Sequence, residues 1–108
     1  MTQLNKTMTA AELDAAINEI KVEDNPCNGG LCASFIYDSK EYWADMLEFD
    51  VLVGTGIASL LPYTTECQIF EAENGVVTNW SELYTNRNIP LTEQSLRECI
   101  LDFVTMER

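Results

Sequence analysis

Apolar residues recur along this chain with two different periods. Leu13, Ala16, Ile17 and Ile20 fall at i, i+3, i+4 and i+7, the stripe of an amphipathic helix. Thr9-Ala10-Ala11-Glu12 reads as a capping box, in which the Thr hydroxyl and the Glu carboxylate satisfy two backbone N–H groups reciprocally. Asp24-Asn25-Pro26 breaks the pattern, so the helix is predicted from Thr9 to about Val22. A second stripe, Leu96, Cys99, Ile100, Phe103 and Val104, follows Thr92 as cap and Glu93 in the first turn, and predicts a C-terminal helix. Residues 1–8 read as a flexible leader and residues 9–108 as a single domain.

Between the helices the pattern shortens. Asn28-Gly29-Gly30 is a turn signal, and the mostly apolar run Leu31 to Tyr37 reads as a strand. Asp38-Ser39-Lys40-Glu41 resembles another capping signal. A short helix from Ser39 to Leu47 would pair Tyr42 with Met46 and Trp43 with Leu47, and would line Glu41, Asp45 and Glu48 along one face. The competing reading is a strand running on through Phe49, Val51 and Val53; helix then strand is the favoured order. Residues 49–53 read as a buried strand, punctuated by Gly54-Thr55-Gly56, and Pro62 ends the ambiguous run from Ile57 to Leu61. Thr64 to Ala72 and Val76 to Leu83 flank Asn74-Gly75, a strong type I′ hairpin signal. The expected fold is α+β: an antiparallel sheet of about four strands with the N- and C-terminal helices packed on one face.

Charge changes the functional picture more than the fold. Eighteen acids against six bases give a net charge of −12 over 108 residues. That balance disfavours direct binding to nucleic acid, which needs Lys and Arg against phosphate, and disfavours anionic membranes equally. It admits a basic partner. Lys40 and Arg87 bracket a stretch with no base, holding Glu41, Asp45, Glu48, Asp50, Glu66, Glu71, Glu73 and Glu82. The run from Val51 to Glu66 is too short and too polar to span a bilayer, and the N-terminus lacks a signal peptide's basic and apolar regions. A cytoplasmic location is therefore expected.

Candidate chemistry is sparse. The chain has no His, which removes Ser-His-Asp and Cys-His mechanisms. Four cysteines remain. Cys27 and Cys32 bracket the glycine turn, where a disulfide is sterically conceivable, while Cys67 and Cys99 are too widely separated in sequence for the two tight pairs of a Cys₄ zinc site. The prevailing expectation is reduced thiols, with Cys67 and Cys99 as small core hydrophobes. Neither glycine cluster matches a phosphate-binding fingerprint. No cofactor, metal or catalytic residue is assigned.

The segment Cys67-Gln-Ile-Phe-Glu-Ala-Glu-Asn-Gly-Val-Val-Thr-Asn-Trp-Ser-Glu-Leu-Tyr84 resembles the late hairpin of the NTF2-like, SnoaL-type family. That resemblance implies a small-molecule pocket, lined here by Trp43, Phe49, Phe70 and Trp80. It transfers no catalytic residue, since the chain lacks the matching His/Asp pair and ends in a helix.

Two functions follow. The leading expectation is a non-catalytic acidic interaction protein, of the inhibitor, nucleic-acid-mimic or antidote type. It would bind a basic protein through Glu41, Asp45, Glu48, Glu71 and Glu73, with Tyr42, Trp43 and Trp80 as aromatic anchors. Homodimerisation is left open. The alternative is a ligand-binding or enzymatic domain of the NTF2-like kind.

Overall fold

The computed structural model describes residues 2–25, 29–49 and 64–107, with the side chains of 48, 49, 64 and 107 left aside. It is an α+β arrangement in the order β1 (Gln3–Leu4), α1 (Ala10–Asn18), β2 (Glu23–Asp24), β3 (Leu31–Tyr37), β4 (Lys40–Phe49), β5 (Thr64–Glu73), β6 (Val76–Arg87) and α2 (Glu93–Glu107). The six strands form one sheet in the order β1-β3-β4-β5-β6, with β2 paired to the same strand, β3.

Both helices start as their sequences dictate. In α1 the Glu12 N–H donates to the Thr9 hydroxyl (3.1 Å) and the Thr9 N–H to the Glu12 carboxylate (2.9 Å). In α2 the Ser95 N–H donates to the Thr92 hydroxyl at 3.1 Å. The first helix stops earlier than its apolar stripe. Glu19 and Ile20 close the last turn through N–H groups donating to Ala16 and Ile17. The Ile20 carbonyl then accepts from Arg97 Nη2 of α2 at 2.9 Å, a cation on the negative end of the helix. Ending there frees Glu23–Asp24 to pair with Leu31 and Cys32 of β3.

Two expectations about the sheet need correction. The four long strands are antiparallel, but the sheet has six strands and is mixed, because Gln3–Leu4 runs parallel to β3 opposite Ile36 and Tyr37. Leu4 is 2 % exposed in the core, so this part of the expected leader is integral to the fold. Residues 40–49 are a strand and not a helix. Asp38 and Ser39, read as a helix cap, are the two central residues of a tight β3–β4 turn, with φ of 49° and 68°. Tertiary contacts hold that turn: Asp38 donates its N–H to the Leu4 carbonyl (3.0 Å), and its carboxylate accepts from the Lys6 N–H (3.1 Å). The expected strand beyond Phe49 and the run to Pro62 lie outside the described residues.

The Asn74-Gly75 hairpin is present, with φ of 54° and 80° at the two positions, the double left-handed geometry of a type I′ turn. It joins a strand of 10 residues to one of 12, in a molecule 49 Å along its major axis.

Alternate residues of the strands build the core. Ala33, Phe35 and Tyr37 of β3, Tyr42, Ala44 and Met46 of β4, and Cys67 and Ile69 of β5 join Leu13 and Ile17 of α1 and Leu96, Ile100, Phe103 and Val104 of α2 in one cluster. Phe103 is its aromatic hub, edge-on to Phe35 (6.2 Å), Tyr42 (5.1 Å) and Tyr84 (6.4 Å). Side chains of this size stabilise by about 1.5–3 kcal/mol each on full burial.

Candidate functional site

Residues of the other parity form the far side of the sheet. Register sets Ser34 opposite Trp43 and Trp43 opposite Phe70. The next row runs Cys32, Asp45, Gln68 and Thr85, and the one after it Leu47, Glu66 and Arg87. Trp80 completes the aromatic row, its ring 5.1 Å from Phe70 at 64°.

Trp80 reaches this position through an irregularity in β6. Ile69 pairs with Tyr84 and Glu71 with Asn79, so two steps along β5 answer five along β6. The surplus residues bulge out, and the Ser81 N–H donates to Asn79 Oδ1 (3.0 Å) inside the bend. Bulges of this kind re-aim side chains at sheet edges, and β6 is the last strand in the sheet order. Trp80 is 70 % exposed and Leu83 39 %, whereas Phe70 beneath is 3 % exposed.

The far-side carboxylates are committed to hydrogen bonds. Glu41 Oε1 accepts from the Asn74 N–H (3.0 Å) and Oε2 from the Gly75 N–H (2.6 Å), so an acid on β4 binds both N–H groups of the β5–β6 turn. Consecutive left-handed residues present their N–H groups as a small anion cradle. Asp45 accepts from Asn25 Nδ2 at 2.8 Å. Glu66, 5 % exposed, meets Arg87 Nε at 3.3 Å. Glu82 accepts from Gln68 Nε2 (2.7 Å) and Thr85 Oγ1 (2.6 Å).

The eight residues expected to bind a partner are thus redistributed. Glu41, Trp43 and Asp45 share the far side, and Trp80 joins them. Tyr42 is 7 % exposed in the core, stacked on Phe35 at 5.5 Å, so it is no surface anchor. Glu48 pairs with Thr65 at a position of the opposite parity, which breaks the expected line of Glu41, Asp45 and Glu48. Glu71 and Glu73 meet Glu41 around a shallow depression also bordered by Lys40 and Thr78. Of the expected pocket lining, Trp43, Phe70 and Trp80 stand in one row on the far side with Trp80 mostly exposed, and the Phe49 side chain lies outside the described residues.

Sequence reasoning missed the β6 bulge and Glu41's hold on the turn. The first leaves no trace in the two arms as read from the sequence, Thr64 to Ala72 and Val76 to Leu83; the second joins residues 33 and 34 positions apart and leaves no local signal. Among the described residues, no group of three metal-ligating side chains comes together, and no helix is long and apolar enough to cross a membrane. No protein-family model matches the chain, and neither does any curated protein or solved structure.

Proposed function

We propose that this chain is a non-catalytic acidic interaction protein that binds a basic protein through the far side of its sheet and the bulged edge at Trp80. The observation that carries the reading is Trp80, 70 % exposed and seated edge-on over a buried Phe70. An indole held in place by a ring beneath it loses little freedom on binding, and Trp is enriched among the residues that dominate interface energies. Glu82 follows two residues along the same bulged strand, and Glu71 and Glu73 stand toward the hairpin tip beside Glu41, in a chain of net charge −12. Such a field steers a basic partner and repels nucleic acid and anionic lipid. The cytoplasm suits this role.

The test starts with capture of partners on the immobilised protein, followed by association kinetics at low and high salt. Trp80→Ala should weaken binding ~10-fold or more, chiefly through faster dissociation. Glu71→Lys with Glu73→Lys should slow association and flatten its salt dependence. Glu41 and Asp45 would be poorer probes, because reversing either would break a hydrogen bond within the fold. A neutral or acidic partner, or a salt-insensitive on-rate, would overturn the reading in favour of a small-molecule site.

A further inference from the structure

Two cysteines meet where β5, β6 and α2 adjoin. Cys67 of β5 is 0 % exposed and Cys99 of α2 is 3 % exposed, and neither is in a disulfide. Cys67 is the cross-strand partner of Asn86 in β6, and its thiol lies within hydrogen-bonding reach of the Cys99 sulfur. Asn86 Nδ2 of β6 points at the same sulfur from 4.0 Å. The Tyr84 hydroxyl also lies within hydrogen-bonding reach of it and donates its proton to Asp102 Oδ2 at 2.8 Å.

The two sulfurs differ in access. Cys99 lines a cleft of about 430 Å³ with Tyr84, Asn86, Ser95 and Asp102, whereas Cys67 lies behind it, away from the cleft. They differ in acidity in the same sense. Donation from Cys67, with help from Asn86, holds the Cys99 thiol below its ordinary range. Giving that hydrogen bond, together with burial, pushes the Cys67 thiol up. A sulfur at the wall of a cleft whose thiol loses its proton more readily, beside a second thiol that keeps its own, is the arrangement of an oxidisable nucleophile and a resolving partner.

We propose that Cys99 and Cys67 are a redox pair that hydrogen peroxide converts reversibly to a disulfide tying α2 to β5. The Cys99 thiolate attacks one peroxide oxygen. The O–O bond breaks, leaving a sulfenic acid on Cys99 and a hydroxide that takes a proton and departs as water. The Cys67 sulfur then attacks the sulfenic sulfur, the S–O bond breaks, and the departing hydroxide leaves with the Cys67 proton as a second water. Two thiols and one peroxide become one disulfide and two waters: the peroxide is reduced and the thiols lose two electrons. A small dithiol such as dithiothreitol reverses it by exchange. The pair is independent of the proposed partner surface, since it lies on the core side of the sheet.

The test is peroxide treatment of the full chain, alkylation of remaining thiols, and trypsin mapping. Cleavage at Lys40, Arg87 and Arg97 puts Cys67 in 41–87, Cys99 in 98–108, and Cys27 with Cys32 in a third peptide. The expected product is a dithiothreitol-reversible cross-link between 41–87 and 98–108, formed within one chain and accompanied by a higher Tm. In Cys67→Ser, dimedone should trap a sulfenic acid on Cys99; in Cys99→Ser, Cys67 should stay unlabelled. Cys99 should also react ~10-fold or more faster than Cys32, which is as deeply buried but gives its thiol proton to the Asp24 carbonyl. A cross-link only between chains or only between Cys27 and Cys32, or equal reactivity of Cys99 and Cys32, would overturn the proposal. The wild-type cross-link decides the matter even if a serine variant folds poorly.

Discussion

Along β4, neighbouring residues inhabit two different environments. Tyr42, Ala44 and Met46 are 7, 0 and 0 % exposed and belong to the apolar cluster around Phe103. Glu41 and Asp45, on the other side of the same strand, are half-buried and each is held by a directed hydrogen bond: Glu41 to the hairpin turn, Asp45 to Asn25. The core side is held by shape and exclusion of water, the far side by rows of polar partners. So the acidity of this chain is not simply a solvated surface. Several carboxylates in the base-free stretch do structural work across strands, which leaves Glu71, Glu73 and the exposed Trp80 as the freer elements for recognition.

That contrast can be broken first from the core side. Phe103→Ala removes the hub ring that touches Phe35, Tyr42 and Tyr84, and should cost about 3–5 kcal/mol in denaturant unfolding. Trp80→Ala, a larger truncation on the other side, should cost under ~1 kcal/mol, because the ring is mostly solvated and loses one edge-on contact. Similar costs for the two would erase the distinction between the sides.

The hairpin tip gives an intermediate effect. Gly75→Val has open space for its side chain, with nothing within 4 Å, yet must hold φ near +80°. The cost should be ~1–2 kcal/mol, from backbone strain alone. Glu41→Ala should cost ~1 kcal/mol through the exposed turn N–H groups it leaves behind. Because Glu41 acts through that turn, the double variant should lose less than the sum of the two, and strict additivity in the cycle would show that the contact contributes nothing.

A local effect, read by titration, lies at the start of α1. The Glu12 carboxyl is held below its ordinary value, first by the Thr9 backbone N–H and then by the Thr9 side chain. A depressed carboxyl stabilises the fold above its unfolded-state value, and that contribution fades as pH falls through the lower folded-state value. Thr9→Ala should lower stability by ~1 kcal/mol at neutral pH and move the Glu12 titration, followed by NMR, back toward the ordinary value. An unmoved titration would mean that the box contributes no directed bond.

The residues that told most by themselves were those whose meaning is local. The capping box at Thr9, the stripe from Leu96 to Val104, the strand Leu31 to Tyr37 and the Asn74-Gly75 turn all appear as read, since each depends on neighbours within a few positions. The segment 40–49 misled for an equally local reason. Tyr42 and Met46, four apart, share a face in a helix and in a strand alike, so their spacing could not choose between them. What chose was β4's pairing with β3 on one side and β5 on the other, over registers that span up to 31 positions in sequence.

The sequence by itself determined the two helices, the hairpin and the strongly negative balance, because propensity, capping and charge are properties of the chain before it folds. Only the tertiary structure decided that Gln3–Leu4 becomes a strand, that Glu41 is a clamp and not a free acid, that Tyr42 is core, and that Trp80 is pushed outward by a bulge. Each of those outcomes rests on a partner distant in sequence, and a hydrogen bond or a buried contact exists only once both partners have been brought together.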